Sequence, residues 1–144
     1  MNFLWYPYHY FTLALVILSS LLLGYILLQR HKTGAGYSIG ILGMVLFWSI
    51  AQGLEFAAQT LEQKIFFANL QYLPITLIPT FCFYLALAFS RMDHWLKERK
   101  LTLLLLVMPL LLNLLIWTDP YHGLFRQGVS VRFDGIVPTI EKTW

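Results

Sequence analysis

The chain of 144 residues is 58% hydrophobic and only 12% charged, and its mean hydropathy is +0.65. Soluble domains are about 45–50% apolar and about 25% charged, so this composition excludes an ordinary soluble domain and indicates a membrane protein. The net charge of +3 is small, and the basic residues lie between the apolar runs. This placement indicates that they orient the chain in the membrane and do not form a nucleic-acid-binding surface. The single cysteine, Cys82, excludes an intrachain disulfide and a cysteine metal cluster.

Four long apolar segments predict four membrane-spanning helices at about residues 8–28, 37–58, 65–89 and 101–117. Each is close to the roughly 20 residues that a helix needs to cross a bilayer. A polar tail, residues 118–144, follows the fourth segment. The tail alternates polar and apolar residues from Gly128 and carries the pair Asp134-Gly135, so both a small β-hairpin and an extended loop fit it.

Basic residues in the connections predict the orientation of the chain. The second connection holds only Lys64, whereas the first holds Arg30 and Lys32 and the third holds Arg91, Lys97, Arg99 and Lys100. By the positive-inside rule, the first and third connections lie in the cytoplasm. The N-terminus, the turn around Glu62 and the tail from Thr118 onward are therefore expected outside.

The second segment carries a polar stripe. At about 100° per residue, Trp48, Gln52, Glu55 and Gln59 fall within a sector of roughly 60° on one helix face. A glutamate inside hydrocarbon costs a few kcal/mol or more unless it is paired, protonated or hydrated. We therefore expect this stripe to face other helices or water.

Depth suggests which other polar groups lie near Glu55. The short turn around Glu62 makes the second and third helices antiparallel neighbours, which places Asn69 level with Glu55, and Gln71 and Tyr72 near Gln52. Asn113, His9 and Thr12 reach similar levels on the other two helices. Such a layer is either a structural hydrogen-bond network or a ligand pocket open to the outside. The candidate ligand-binding or sensing residues are Trp48, Gln52, Glu55, Asn69, Tyr72 and Asn113.

Pro74 and Pro79 lie inside the third predicted helix, where each removes a backbone hydrogen bond. They form either an ordinary kink of a membrane helix or a hinge that transmits a conformational change. Pro109 occupies a comparable position in the fourth helix.

The sequence predicts no catalytic site, no cofactor and no metal site. It contains no Ser-His-Asp spacing, phosphate-binding glycine loop or paired carboxylates. The four histidines do not form a metal motif. All five lysines, including Lys64, are assigned to loops or the tail, which excludes a Schiff base buried in the membrane.

The order of several motifs resembles the N-terminal seven-transmembrane region of bacterial sensor histidine kinases. These motifs are Trp48-x6-Glu55, Lys64, Gln71-Tyr72-Leu73, Pro79, Pro109 and the stretch Trp117-Thr-Asp-Pro-Tyr-His-Gly-Leu-Phe125. Asp119 departs from the family pattern, in which Asn is often found. The resemblance implies a membrane-embedded sensing module that precedes PAS, histidine kinase or diguanylate cyclase output domains. It covers the first four of seven helices.

We therefore expect residues 1–144 to form a truncated sensor domain, an all-α four-helix membrane bundle in the bacterial inner membrane. The expected function is reception of a ligand or membrane state through the layer around Glu55, without enzymatic activity. Its expected partners are the lipid bilayer, the missing helices, a cytoplasmic output domain and a second copy in a homodimer. The alternatives are a small transport or carrier bundle and a truncated fragment with no function.

Overall fold

The structure, a computed structural model, describes residues 8–90, 92, 95, 99–125, 129–132 and 139–142. Its helices are α1 (Tyr8–Leu28), α2 (Ala35–Ala57), α3 (Leu61–Phe89), α4 (Arg99–Trp117) and the single-turn α5 (Asp119–His122), and its strands are β1 (Val129–Arg132) and β2 (Thr139–Lys142). By length and composition, α1 to α4 are each able to cross a membrane. The predicted class, an all-α membrane bundle, is confirmed.

Helix α3 begins at Leu61, whereas the sequence predicts a start near residue 65. The hydroxyl of Thr60 accepts a hydrogen bond from the backbone N–H of Gln63 at 3.3 Å, and Thr-x-x-Gln is the pattern of a capping box. Glu62 lies in the first turn, where the helix dipole favours an acidic side chain. Because the helix begins here, Lys64 is helical, and its predicted loop position is wrong.

The long helices pack mainly against their neighbours in the chain. Helix α2 lies between α1 and α3, and α3 lies between α2 and α4. Within the described part of the chain, α1 makes no extensive contact with α4, and both expose broad apolar faces. A polar residue on α2 or α3 therefore meets one of two neighbours, depending on the side of the helix it occupies.

We call the end of the bundle with the α2–α3 turn the outer end and the opposite end the inner end, after the predicted orientation. At the inner end α2 and α3 approach closely, since a Cβ atom on Gly40 would lie 2.7 Å from Cε1 of Phe81. The rings of Tyr37 and Tyr84 stack there with centroids 5.7 Å apart. The inner half of this contact is therefore filled with apolar and aromatic side chains.

Helix α3 continues through both of its prolines. Pro74 is almost completely buried, with less than 2% of its surface exposed, whereas Pro79 is exposed. Because each lacks a backbone N–H, the middle of α3 has fewer hydrogen bonds between turns than a regular helix. The hinge role of these two residues stays a prediction.

The tail contains the single turn α5 and a β-hairpin. In the turn, Asp119 is buried, and its Oδ1 accepts a hydrogen bond from the backbone N–H of Phe125 at 2.8 Å. Strands β1 and β2 pair antiparallel, with Val129 opposite Lys142 and Arg132 opposite Thr139. Of the two predicted alternatives, the structure contains the hairpin; the Asp134-Gly135 pair lies outside the described residues.

Candidate functional site

The side-chain amide of Gln71 on α3 joins two residues of the polar stripe on α2. Its Nε2 donates a hydrogen bond to Oε2 of Glu55, and its Oε1 accepts one from Nε1 of Trp48 at 3.1 Å. Gln71 is buried, whereas Glu55 is half-buried and Trp48 is 36% exposed. The stripe thus faces α3, and one amide serves two groups that lie two turns apart on α2.

Lys64 also contacts Glu55, at the outer end of the bundle. Its side chain is 1% exposed, and its Nζ donates a hydrogen bond to the backbone carbonyl of Glu55 at 3.0 Å. This carbonyl lies in the last turn of α2, where the helix dipole favours a cation. The buried Lys64 amine thus binds the backbone of the residue whose half-buried side chain binds Gln71.

We call Trp48, Glu55, Lys64 and Gln71 the Glu55 cluster. Trp48 and Glu55 are seven residues apart on α2, and Lys64 and Gln71 are seven apart on α3. Seven residues make about two helical turns, so each pair shares one face of its helix. Lys64 and Gln71 are absent from the sequence-based candidates, although this matched spacing was a signal that could have found them.

Asn69 illustrates why depth alone did not identify the partner of Glu55. It is 5% exposed and lies near the predicted level on α3. At 100° per residue, however, it is about 160° around the helix from Gln71 and within about 20° of Thr76. Asn69 therefore lies on the face of α3 that turns away from α2.

Asn113 belongs to that second face. Its Nδ2 donates hydrogen bonds to Oγ1 of Thr76 and to the backbone carbonyl of Pro109, both at 2.8 Å. One turn further along α3, Oγ1 of Thr80 donates to the backbone carbonyl of Leu105 at 3.3 Å. The structure thus places Asn113 in a polar contact between α3 and α4, separate from the Glu55 cluster.

The remaining predicted residues lie on α1, α2 and α3. Gln52 and Tyr72 are half-buried, on α2 and α3 respectively. On α1, His9 and Thr12 are 6% and 5% exposed, and Thr12 lies against Gly53 of α2. The predicted single layer with a group from every helix is therefore divided among three helix contacts, because each helix packs on its chain neighbours.

The Glu55 cluster can bind by hydrogen bonding and by charge, through one carboxylate, one ammonium, one amide and one indole N–H. Within the described residues, no group of three His, Cys, Asp or Glu side chains is placed to hold a metal ion. The chemistry that this arrangement offers is polar recognition or proton binding between two membrane helices.

A family model described as the N-terminal 7TM region of histidine kinase matches residues 11–144, which is most of the chain. No curated protein and no solved structure matches.

Proposed function

We propose that this chain, which belongs to the N-terminal 7TM region of histidine kinases, receives a signal within the membrane through the Glu55 cluster. Family membership makes the chain part of a multi-pass sensory membrane region and not of the catalytic kinase domain. The observation that carries the proposal is the Gln71 amide, which holds Glu55 and Trp48 of α2 against α3. Polar and ionisable groups inside membrane helices are expensive and mark functional sites.

The proposed mechanism is a change in how α2 packs on α3. A ligand, or a change in the membrane, that competes for the hydrogen bonds of Gln71 would free Glu55 and Trp48 from α3. Pro74 follows Gln71 by three residues, so the displaced part of α3 adjoins a segment with weakened backbone hydrogen bonding. Pro74 and Pro79 act in this proposal as the hinge that passes the movement toward the inner end.

Trp48 supplies the route by which a stimulus reaches the cluster. It is 36% exposed and yet donates to the buried amide of Gln71. A molecule that contacts the indole ring from the lipid side therefore acts directly on the interhelical hydrogen bonds. Gln52 and Tyr72, both half-buried, are proposed as further ligand contacts, whereas Asn69 and Asn113 would act through the packing of α4 on α3.

The proposed setting follows the predicted orientation. The chain lies in the bacterial inner membrane with the Glu55 cluster toward the periplasm, and the first and third connections face the cytoplasm. The signal passes to a cytoplasmic output domain of a two-component receptor that acts as a homodimer.

The packing of the inner half argues against the alternative of a carrier. A solute path through α2 and α3 needs polar groups along its whole length, but Gly40, Phe81 and the stacked Tyr37 and Tyr84 fill the inner half of this contact. Solute flux through the protein in proteoliposomes would favour the carrier over the sensor.

The test replaces Glu55 by Gln in the intact receptor, with Glu62→Gln as the matched control. Glu62 is an exposed acid in the first turn of α3, so its replacement removes the same charge outside the cluster. Kinase autophosphorylation is measured in vesicles of different lipid thickness and over a range of pH. Glu55→Gln should abolish the response while Glu62→Gln keeps it; a response retained by correctly inserted Glu55→Gln would remove Glu55 from the mechanism.

A further inference from the structure

A partly open groove lies between α1 and α2, on the side of α2 opposite the Glu55 cluster. It encloses about 380 Å³, which is within the range of about 300–1,000 Å³ for small-molecule sites. Gly53 forms part of its wall on α2, facing Thr12 on α1. Because Gly53 has no side chain, Thr12 lies against the backbone of α2 at this point.

The groove contains polar side chains that are almost completely buried. His9, Thr12 and Ser49 line it with 6%, 5% and 4% of their surfaces exposed. The Thr12 hydroxyl donates to the backbone carbonyl of His9 at 3.0 Å, and the Ser49 hydroxyl donates to that of Val45 at 2.9 Å. Both hydroxyl protons are thus in use, while the oxygen lone pairs can accept a hydrogen bond from a ligand.

The rest of the groove is apolar, and none of the described residues that line it is Asp, Glu, Lys or Arg. A charged group placed here would lose its hydration without gaining a partner, so a bound molecule must be neutral. His9 and Thr12 lie toward the outer end and Val16 lies deeper along α1. This order matches an amphiphile whose polar group points to the membrane surface and whose chain points to the bilayer centre.

We infer that the groove between α1 and α2 binds a neutral lipophilic molecule with an apolar chain and a hydroxyl end group, taken up from the surrounding membrane. The hydroxyl donates to Oγ1 of Thr12, and the chain fills the apolar wall formed by residues such as Val16 and Ile50. The inference concerns binding alone and holds whether or not the Glu55 cluster senses a signal.

The test uses the 144-residue chain in phosphatidylcholine nanodiscs with two photoreactive probes. One is a long-chain alcohol that carries a diazirine, and the other is phosphatidylcholine with the same diazirine-bearing chain. Labelled positions are mapped by mass spectrometry. The alcohol should label Leu13 and Ile50 saturably. The phospholipid should label these and other exposed positions, such as Leu103 and Leu110, without saturation.

Three variants locate the binding site. Thr12→Val removes an acceptor at constant size and should raise the half-saturating alcohol concentration about 2- to 10-fold, the effect of one hydrogen bond. Gly53→Val fills the groove and should abolish saturable labelling. Gly43→Val is the control, because a Cβ at Gly43 has nothing within 4 Å, and it should behave as the unmodified chain.

Two results would overturn the inference. The first is alcohol labelling of Leu13 and Ile50 that does not saturate, or that saturates at the same concentration as its labelling of Leu103 and Leu110. The second is a Thr12→Val variant whose half-saturation equals that of Gly43→Val. Circular dichroism checks the helix content of each variant, and if Gly53→Val fails to fold, Thr12→Val decides the outcome.

Discussion

Gln71 satisfies two groups that are costly to leave without a partner inside a membrane. The indole N–H of Trp48 and the carboxylate of Glu55 both lie in a helix that is long and apolar enough to span the bilayer. Unsatisfied polar groups in hydrocarbon cost several kcal/mol, and no water is present there to replace a lost partner. The buried amide of Gln71 therefore takes the place of water for both residues.

Replacing Gln71 by Leu should lower the free energy of unfolding by about 1–3 kcal/mol, because the Glu55 carboxylate loses its amide donor. Gln52→Leu is the control, because it also replaces an amide by an apolar side chain, and Gln52 makes no side-chain hydrogen bond to a described residue. Its free energy of unfolding should stay within about 0.5 kcal/mol of that of the unmodified chain. Both are measured by unfolding the chain in mixed detergent–lipid micelles. Equal effects of the two variants would show that the hydrogen bonds of Gln71 do not stabilise the contact.

The sequence identifies the two cluster residues on α2 better than the two on α3. Trp48 and Glu55 stand out because polar residues repeat on one face of an otherwise apolar segment. Apolar patterning alone predicts a loop at Lys64, because the helix start depends on the capping pattern of Thr60 and Gln63. Depth predicts Gln71 near the level of Gln52 but does not distinguish it from Asn69 as the partner of Glu55, because depth does not specify rotation about the helix axis.

Helix α3 has two polar faces that serve different neighbours. Lys64 and Gln71 face α2, whereas Thr76 and Thr80 bind α4 through Asn113 and the carbonyl of Leu105. The two sets share no hydrogen-bond partner among the described residues. The backbone of α3, in the segment that contains Pro74 and Pro79, therefore connects the Glu55 cluster to the contact with α4.

This separation predicts that the two faces contribute independently to stability. Asn113→Leu should lower the free energy of unfolding by about 0.6 kcal/mol, and by no more than about 1.7 kcal/mol, as for other interhelical hydrogen bonds in membranes. Combined with Gln71→Leu, its effect should add to within about 0.5 kcal/mol. A double-mutant cycle in the same micelles measures the sum; a coupling energy well above 1 kcal/mol would mean that the two faces form one network.

For the whole molecule, the sequence predicts the spans well because apolar length alone decides them. It does not predict the order of packing, in which each long helix lies beside its chain neighbours. That order separates Asn113 from Glu55 and places His9 and Thr12 on the far side of α2. Which polar residues meet is thus a property of the assembled bundle, whereas a single segment specifies only which face is polar.

The account rests on Glu55 and Gln71 acting as one unit that controls the output of the kinase. The most direct measurement is basal autophosphorylation of the intact receptor with Glu55→Gln, Gln71→Leu and the two combined, alongside Asn113→Leu as a variant outside the cluster. The account predicts that both single changes shift the rate in the same direction and that the combined variant matches either one, while Asn113→Leu stays closer to the unmodified receptor. Unmodified rates in all three cluster variants, with normal membrane insertion, would contradict it.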